Sequence, residues 1–506
     1  MYYLIGCFHW CPLLLFISCT LAADYVIPST WNGTNITASS EDCQSTISAA
    51  IQQEFTNGTS LDANFYSIMA VYDLYSNTTV YKNQVTTYFK TTTFNPQSTD
   101  SIDLGTDAIR AYQVYRDPAM ISLATEVWAY VRNYTISPAD VAAGSIATKS
   151  FNVGKICPGG ATLAGGTFWS TNESETTLYG GNTALFFTLS AYLSQATNNA
   201  TYLDAAKDSG GFMIDIMDAA GVGNGQAAIS ASNSANTTCT NIWSPTPGGD
   251  WLIDQAGYFM EGLAALPGDT IFGRQNSTVD SLRSSLVNVT LATNPMCNAP
   301  NGIINAGGGV GNSQLVQGLG ALYRAIREPS DLSAYIGSFL SVQYNAIVAA
   351  ATIPGSHIYA GSWIGPTTPY DTSNQTQALF GLVNAAQVIF ASESSNGTST
   401  NSGGNNTRPT SLAGPIAGGI AGGVAFLSMV GIVLFIIIKR QRQLTSVSQT
   451  HSLSNVNSYP THARNSSRFT LSRRSFSSDL TSADGMDNGY GFKEYGSGSP
   501  PKYTLM

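Results

Sequence analysis

The stretch from Gly180 to Ala219 constrains most strongly what this chain can become. Gly180-Gly181-Asn182-Thr183 opens a helix, with Asn182 or Thr183 able to cap its free N–H groups. Leu185, Phe186, Phe187, Leu189, Tyr192 and Leu193 then put apolar groups on more than one face, so burial nearly all round is expected. Asn198-Asn199 stops this helix. In the next one Leu203, Ala206, Gly210, Met213, Ile214 and Met217 keep to one face, and Asp204, Lys207, Asp208 and Asp215 lie away from it. A helix buried on two sides beside an antiparallel partner buried on one is an αα-hairpin. Repeated, such hairpins predict a closed ring, with inner helices lining the centre and outer helices facing water.

With that hairpin as template, about twelve helices are expected, near 39–55, 60–75, 77–91, 101–115, 117–133, 180–196, 200–219, 250–265, 276–291, 312–327, 330–351 and 373–392. The even-numbered members read as the inner ones, because they carry small residues where helices must pack on both sides, such as Gly105, Ala184, Gly257, Gly318 and Gly381. Their first turns are polar: Asp62 and Asn64, Asp100 and Asp103, Asn182, Asp254 and Gln255, Gln314, Gln375 and Gln377. One polar first turn reads as ordinary capping; six in succession predict a polar floor around a central cavity. The long connections, 134–179, 220–249, 292–311 and 352–372, all run from an outer to an inner helix. They must emerge on the face that holds the inner N-termini. Trp169, Trp243, Trp251 and Trp363 lie in or beside them, which places the site on that rim.

The ends of the chain speak to its location. Residues 1–22 read as a signal peptide, followed by a helical domain over 23–392 and a Ser/Thr/Asn/Gly stalk over 393–412. Residues 416–438 contain no charge and are long enough to cross a bilayer. Lys439-Arg440-Gln441-Arg442 follows, which puts a disordered tail, 439–506, in the cytosol, where it could meet a partner. The expected architecture is a single-pass type I plasma-membrane protein. Only 10% of residues are charged, and many Asn-x-Ser/Thr sites precede the span, as suits a glycan-coated exterior. Cys43, Cys157, Cys239 and Cys297 remain after the signal, an even number that predicts two disulfides with three pairings open.

The exterior holds a single histidine, His357, so a His-based metal site is not expected, and no Gly-x-Ser-x-Gly elbow is present to build a serine triad on it. No metal, cofactor or nucleic acid is expected. Carboxylates in an aromatic-lined cavity remain, the usual equipment for cleaving a glycosidic bond.

Gly165-Gly166-Thr167-Phe168-Trp169-Ser170, followed by Asn182-Thr183-Ala184-Leu185-Phe186, is similar to the Gly-Gly-x-x-Trp-x loop and Asn-x-x-Leu-Phe helix start of glycoside hydrolase family 76. Gly361-Ser362-Trp363-Ile364-Gly365-Pro366 resembles that family's Pro-Ser-Trp-x-Gly-Pro segment, and Gln314 to Ile326 resembles its helix that opens Phe-Lys-Gly. The likeness covers about residues 38–392. It implies an all-α (α/α)6 toroid of six hairpins and the activity of the fungal and bacterial endo-α-1,6-mannanases, facing the cell wall. The family's adjacent catalytic aspartates align with Thr99 and Asp100, and its Tyr-Asn-Gln-Gly segment with Ile253-Asp254-Gln255-Ala256. The resemblance therefore implies Asp100 as acid or nucleophile; by position its candidate partner is Asp103, three residues on, or Asp254, at another inner helix start. Trp169, Asn182, Trp243, Trp251, Gln255, Gln314 and Trp363 are the expected sugar-binding residues. The rival reading is a mannan-binding surface receptor or wall sensor that keeps the cavity without catalysis.

Overall fold

A computed structural model describes residues 25–396, apart from 59–60, 97–100, 158, 219–226, 234–237, 244–249, 294–296, 298–299, 306–309 and 327–328. The signal segment, membrane span and cytosolic tail expected from the sequence lie outside the described residues, and so does most of the stalk. Among the described residues no helix is long and apolar enough to cross a membrane.

The chain forms α1 (Ser40–Asn57), α2 (Ala63–Tyr75), α3 (Lys82–Thr91), α4 (Ile102–Tyr115), α5 (Pro118–Arg132) and a short α6 (Pro138–Ala143). Then follow α7 (Gly180–Thr197), α8 (Ala200–Asp215), α9 (Asp250–Ala265), α10 (Val279–Asn288), α11 (Ser313–Ala325), α12 (Asp331–Ala346) and α13 (Thr372–Asn396). Helices α2, α4, α7, α9, α11 and α13 each pack on the next, and α13 closes back onto α2. That closed circuit is the inner layer, composed of the six helices expected inside. Helices α1, α3, α5, α8, α10 and α12 pack around it. Among the described helices, α6, inside the first long connection, has no counterpart in the sequence expectation.

Local chemistry explains the alternation. In α7 every residue from Gly180 to Ala191 is buried, whereas α8 buries Tyr202, Ala205, Ala206, Ser209, Phe212 and Met213 and turns its charges outward. Arg116 and Asn198 adopt left-handed conformations at φ 57° and 54°, which reverse the chain at once into α5 and α8. Asp117 and Asn199 then cap those helices. Where α9 crosses α11 the backbones nearly touch: a Cβ on Gly318 would fall 2.1 Å from the Gly257 carbonyl oxygen. Only glycine fits there.

Two expectations need correction. Neither Asn182 nor Thr183 caps α7; Tyr179 occupies that position without a side-chain cap. Thr183 instead donates its hydroxyl to the Tyr179 carbonyl at 2.8 Å and accepts from the Thr167 amide at 3.0 Å, which ties the helix to the preceding loop. Of the four cysteines only Cys157 and Cys239 form a disulfide; Cys43 and Cys297 are buried thiols.

A belt of polar groups crosses the middle of the ring. Arg110 on α4 holds both carboxylate oxygens of Glu261 on α9, at 2.7 and 2.6 Å, and reaches Asp107 at 2.6 Å. Tyr192 on α7 and Gln317 on α11 also donate to Glu261, each at 3.1 Å. Asn384 on α13 donates to Gln317 at 3.0 Å and accepts from Tyr75 on α2 at 3.3 Å. All six inner helices contribute. Removing the cation alone would leave two buried carboxylates unanswered. Arg110→Met should therefore cost about 3–5 kcal/mol in denaturant unfolding, and adding Asp107→Asn with Glu261→Gln should recover part of the loss.

Candidate active site

The inner helices all begin on one face, and the long loops gather there. Strands β1 (Thr177–Tyr179), β2 (Ala228–Ser230) and β3 (Asn241–Trp243) make one antiparallel sheet from two of those loops. The Cys157–Cys239 disulfide joins the same two loops. Lys149 is buried beneath them and donates to the carbonyls of Ser170 and Asn172 at 2.8 and 2.6 Å. Its ammonium also sits 4.3 Å from the Phe168 ring centre. Burial pulls its pKa down to about 8. Lys149 thus fixes the loop that carries Trp169, a half-exposed ring packed edge-on against Tyr179 at 4.8 Å.

Two of the three expected carboxylates can be placed. Asp103 lies in the first turn of α4 and Asp254 in that of α9, both half-buried. Asp254 accepts from the Asn312 amide at 2.6 Å, and Asn312 also caps α11. Tyr258, one turn below Asp254, feels the charge of both Asp103 and Asp254 and hydrogen-bonds Gln314. Burial and these two carboxylates hold its phenol well above the ordinary tyrosine range, so it stays a hydroxyl. Asp103, Asp254 and Gln314 thus stand near the starts of α4, α9 and α11, at the end where the inner helices begin. Asp100 lies outside the described residues, as do the side chains of Trp243 and Trp251.

The remaining expected sugar contacts divide. Gln314 is half-buried in the first turn of α11. Asn182 is 4% exposed and donates to the carbonyls of Phe168 and Trp169, so it positions the tryptophan loop rather than facing the cavity. Gln255 is buried against Gly180. Trp363 is fully buried between Gly311 and Gly381, a core residue and not a stacking platform. A sequence pattern cannot separate a tryptophan that faces a rim from one that the rim is built on.

Sequence reading missed Asp107, Arg110, Tyr258, Glu261 and Glu54. The signal was present for four of them. Asp103, Asp107 and Arg110 run down α4 at helical spacing, as do Asp254, Tyr258 and Glu261 down α9. Two polar stripes inside otherwise apolar helices point at the axis of the ring. Glu54, in the last turn of outer helix α1, is buried and accepts from Tyr370 at 3.0 Å and Thr376 at 3.3 Å. Burial is the main force that pushes its carboxyl up to about 7, with Asp62 and Asp371 adding to it. Asp107 is likewise pushed up to about 7 by burial, although Arg110 opposes this, and its Oδ2 has no hydrogen-bond partner.

The sequence matches no protein-family model and no curated relative. Solved structures do match the fold. The GH76A α-1,6-mannanase of Salegentibacter sp. HEL1_6 superposes with a TM-score of 0.51 at 14% identity, over 69% of this chain and 100% of that one. The fold is that of the family 76 glycoside hydrolases. An inactive variant of the same mannanase, with two adjacent aspartates replaced and α-1,6-mannotetrose bound, gives a TM-score of 0.53 at 13% identity, over 69% of this chain and 99% of that one. The family 76 mannosidase Bt3792 of Bacteroides thetaiotaomicron gives 0.50 at 13%, over 70% and 99%. On this fold Asp103 and Asp254 stand near the starts of two different inner helices, and both raise the pKa of the buried Tyr258 phenol.

Both raised carboxyls set a pH dependence of stability. A folded pKa near 7, against ordinary values of 3.8 for Asp107 and 4.5 for Glu54, means that the folded state binds the proton more tightly. Stability is then full below about pH 4 and falls as pH rises toward 7. Thermal melts of the wild type should decline across that window by roughly 3–6 °C per group. Asp107→Asn and Glu54→Gln should each flatten the decline.

Proposed function

We propose that the protein is a cell-surface glycoside hydrolase or transglycosidase acting on α-1,6-linked mannose glycans of a cell wall. The observation that carries this is the placement of Asp103 and Asp254 near the starts of two inner helices, at the loop-bearing end of a family 76 fold. The solved neighbours point to the substrate class, since one is an α-1,6-mannanase and its inactive double-aspartate variant holds α-1,6-mannotetrose. In the reaction one carboxyl gives its proton to the leaving glycosidic oxygen. The second carboxylate attacks the anomeric carbon or draws a proton from the water that does. Asp100 is the proposed acid or nucleophile, and Asp103 or Asp254 its partner. Trp169 and Gln314 border the sugar, and Lys149 and Asn182 hold the tryptophan loop in place.

One observation favours a second reading. Thr99 stands where the family pattern has the first aspartate, and a mannan-binding receptor or wall sensor would need no pair. The two readings separate when the purified full-length chain is incubated with α-1,6-mannan. For an enzyme, Asp100→Asn should remove several powers of ten of turnover while sugar binding is largely retained. Whichever of Asp103→Asn and Asp254→Asn causes a comparable loss names the partner. Release of no mannooligosaccharide by the wild type over several pH values, or normal turnover by Asp100→Asn, would defeat the catalytic reading.

The proposed location rests on the uncharged run 416–438 and the basic residues after it. An epitope at Met506 should be reached by antibody only after cells are permeabilised. Detection on intact cells would mean the opposite topology, and loss during maturation would mean a lipid anchor.

A further inference from the structure

The Asn-x-Ser site Asn172-Glu173-Ser174 takes a definite place in the fold. The chain from Phe168 to Leu178 leaves the loop-bearing end and returns as two antiparallel arms. Phe168 and Leu178 pair as a bridge, and the Trp169 amide donates to the Thr177 carbonyl at 2.9 Å. Asn172 lies in the turn between those arms, and it is exposed together with Glu173 and Ser174. The turn is held firmly. Lys149 donates to the carbonyls of Ser170 and Asn172, and the Asn172 amide donates to the Ser170 hydroxyl at 3.1 Å. The amide and the hydroxyl of Ser174 both donate to Asn172 Oδ1, each at 3.0 Å. Nδ2, the atom that carries an N-linked glycan, has no hydrogen-bond partner among the described residues.

Other such sites stand differently. Asn133 donates its Nδ2 to the Ala129 carbonyl at 3.2 Å, and Thr135, the hydroxyl residue of that site, is buried. Asn288 and Asn374 are half-buried; Thr290 is buried, and Thr376 donates to Glu54. Asn77 and Asn199 are exposed, but they lie between α2 and α3 and between α7 and α8, at the opposite end of the ring. Asn172 puts an open acceptor on the loop that carries Trp169. It follows Trp169 by three residues, at most about 11 Å of extended chain, so the first sugars of a glycan stand near that ring. We propose that Asn172 bears an N-linked glycan that screens the mouth of the ring, so that long mannan reaches the site less readily than a short oligosaccharide. This role rests on the proposed cell-surface location and on mannan as the substrate. In the transfer, Nδ2 forms a bond to the anomeric carbon of an oligosaccharide carried on a lipid diphosphate. The bond from that carbon to the diphosphate oxygen breaks, the lipid diphosphate leaves as an anion, and Nδ2 gives up one proton to a base of the transferring enzyme.

Glycopeptide mass spectrometry of the full-length protein from a eukaryotic secretory host should find Asn172 occupied. Ser174→Ala, which removes the site, should abolish that glycan, and Ser174→Thr, which keeps it, should not. Polymeric α-1,6-mannan should bind Ser174→Ala severalfold more tightly than wild type, with Ser174→Thr equal to wild type. Binding of α-1,6-mannotriose should be the same for all three. Trimming the wild-type glycans to their first sugar with an endoglycosidase should reproduce the gain and add little to Ser174→Ala. That arm needs no substitution, so it judges the screen even if Ser174→Ala fails to fold. An unmodified Asn172 would overturn the proposal. Glycans found at Asn77 or Asn199 in the same sample would confine that failure to this site, and their absence would extend it to the secretory location. An occupied Asn172 with equal polymer binding by wild type and Ser174→Ala would overturn the screen. Failure of wild type and variants to bind either mannan would remove the screen together with the mannan reading.

Discussion

Two carboxylates cannot occupy the dry centre of a helical ring unless a cation is held between them. Arg110 meets that requirement, with a two-pronged grip on Glu261 and a single bond to Asp107. The three groups sum to one negative charge when all are ionised, and burial of that excess is why Asp107 takes up a proton so readily. Because Tyr192, Gln317, Asn384 and Tyr75 complete the belt, every inner helix is held at one level. Rotation of α4 or α9 by a single residue would turn a charge into apolar neighbours. The apolar faces drive the helices together, and the belt selects their register.

The belt also divides the ring into two ends of different character. On one side lie the helix starts, the carboxylates of Asp103 and Asp254, and the loops held by the Cys157–Cys239 disulfide and Lys149. On the other lie the helix ends, short reversals such as those at Arg116 and Asn198, and a cavity walled in part by Arg110 and Arg324. The same side chain serves both: Arg110 answers Asp107 above it and lines that cavity below. A rigid centre of this kind lets long, irregular loops carry the chemistry while the helices beneath them keep their spacing.

The ring was legible because it rests on repetition. The contrast between α7, apolar all round, and α8, apolar on one face, is a local pattern, and six copies give the inner and outer layers without further information. Loop lengths then place the rim. Side-chain direction within the rim was not legible, since it depends on how loops fold over one another. Trp169 and Trp363 occupy comparable loop positions in the sequence, yet one faces outward and the other fills the gap left by Gly311 and Gly381. Cys43 and Cys297 likewise satisfied every counting rule for a disulfide and are buried thiols. Parity of cysteines carries no distances.

The replacement of the family's first aspartate by Thr99 has a different weight once the stripes on α4 and α9 are considered together. An adjacent pair places both carboxyls on one segment, so their separation is set locally. Here α4 carries Asp103 above Asp107, and α9 carries Asp254 above Tyr258. Each of these stripes is placed by the packing of the ring instead of by chain neighbours. Two carboxyls can divide acid from base work only if their environments differ. Asp254 is held by the Asn312 amide at 2.6 Å. Asp103 stands one turn above a carboxyl that readily holds a proton, in a stripe that leads down to Arg110. The two carboxyls thus stand in different surroundings on two different inner helices, positions set by the packing of the ring.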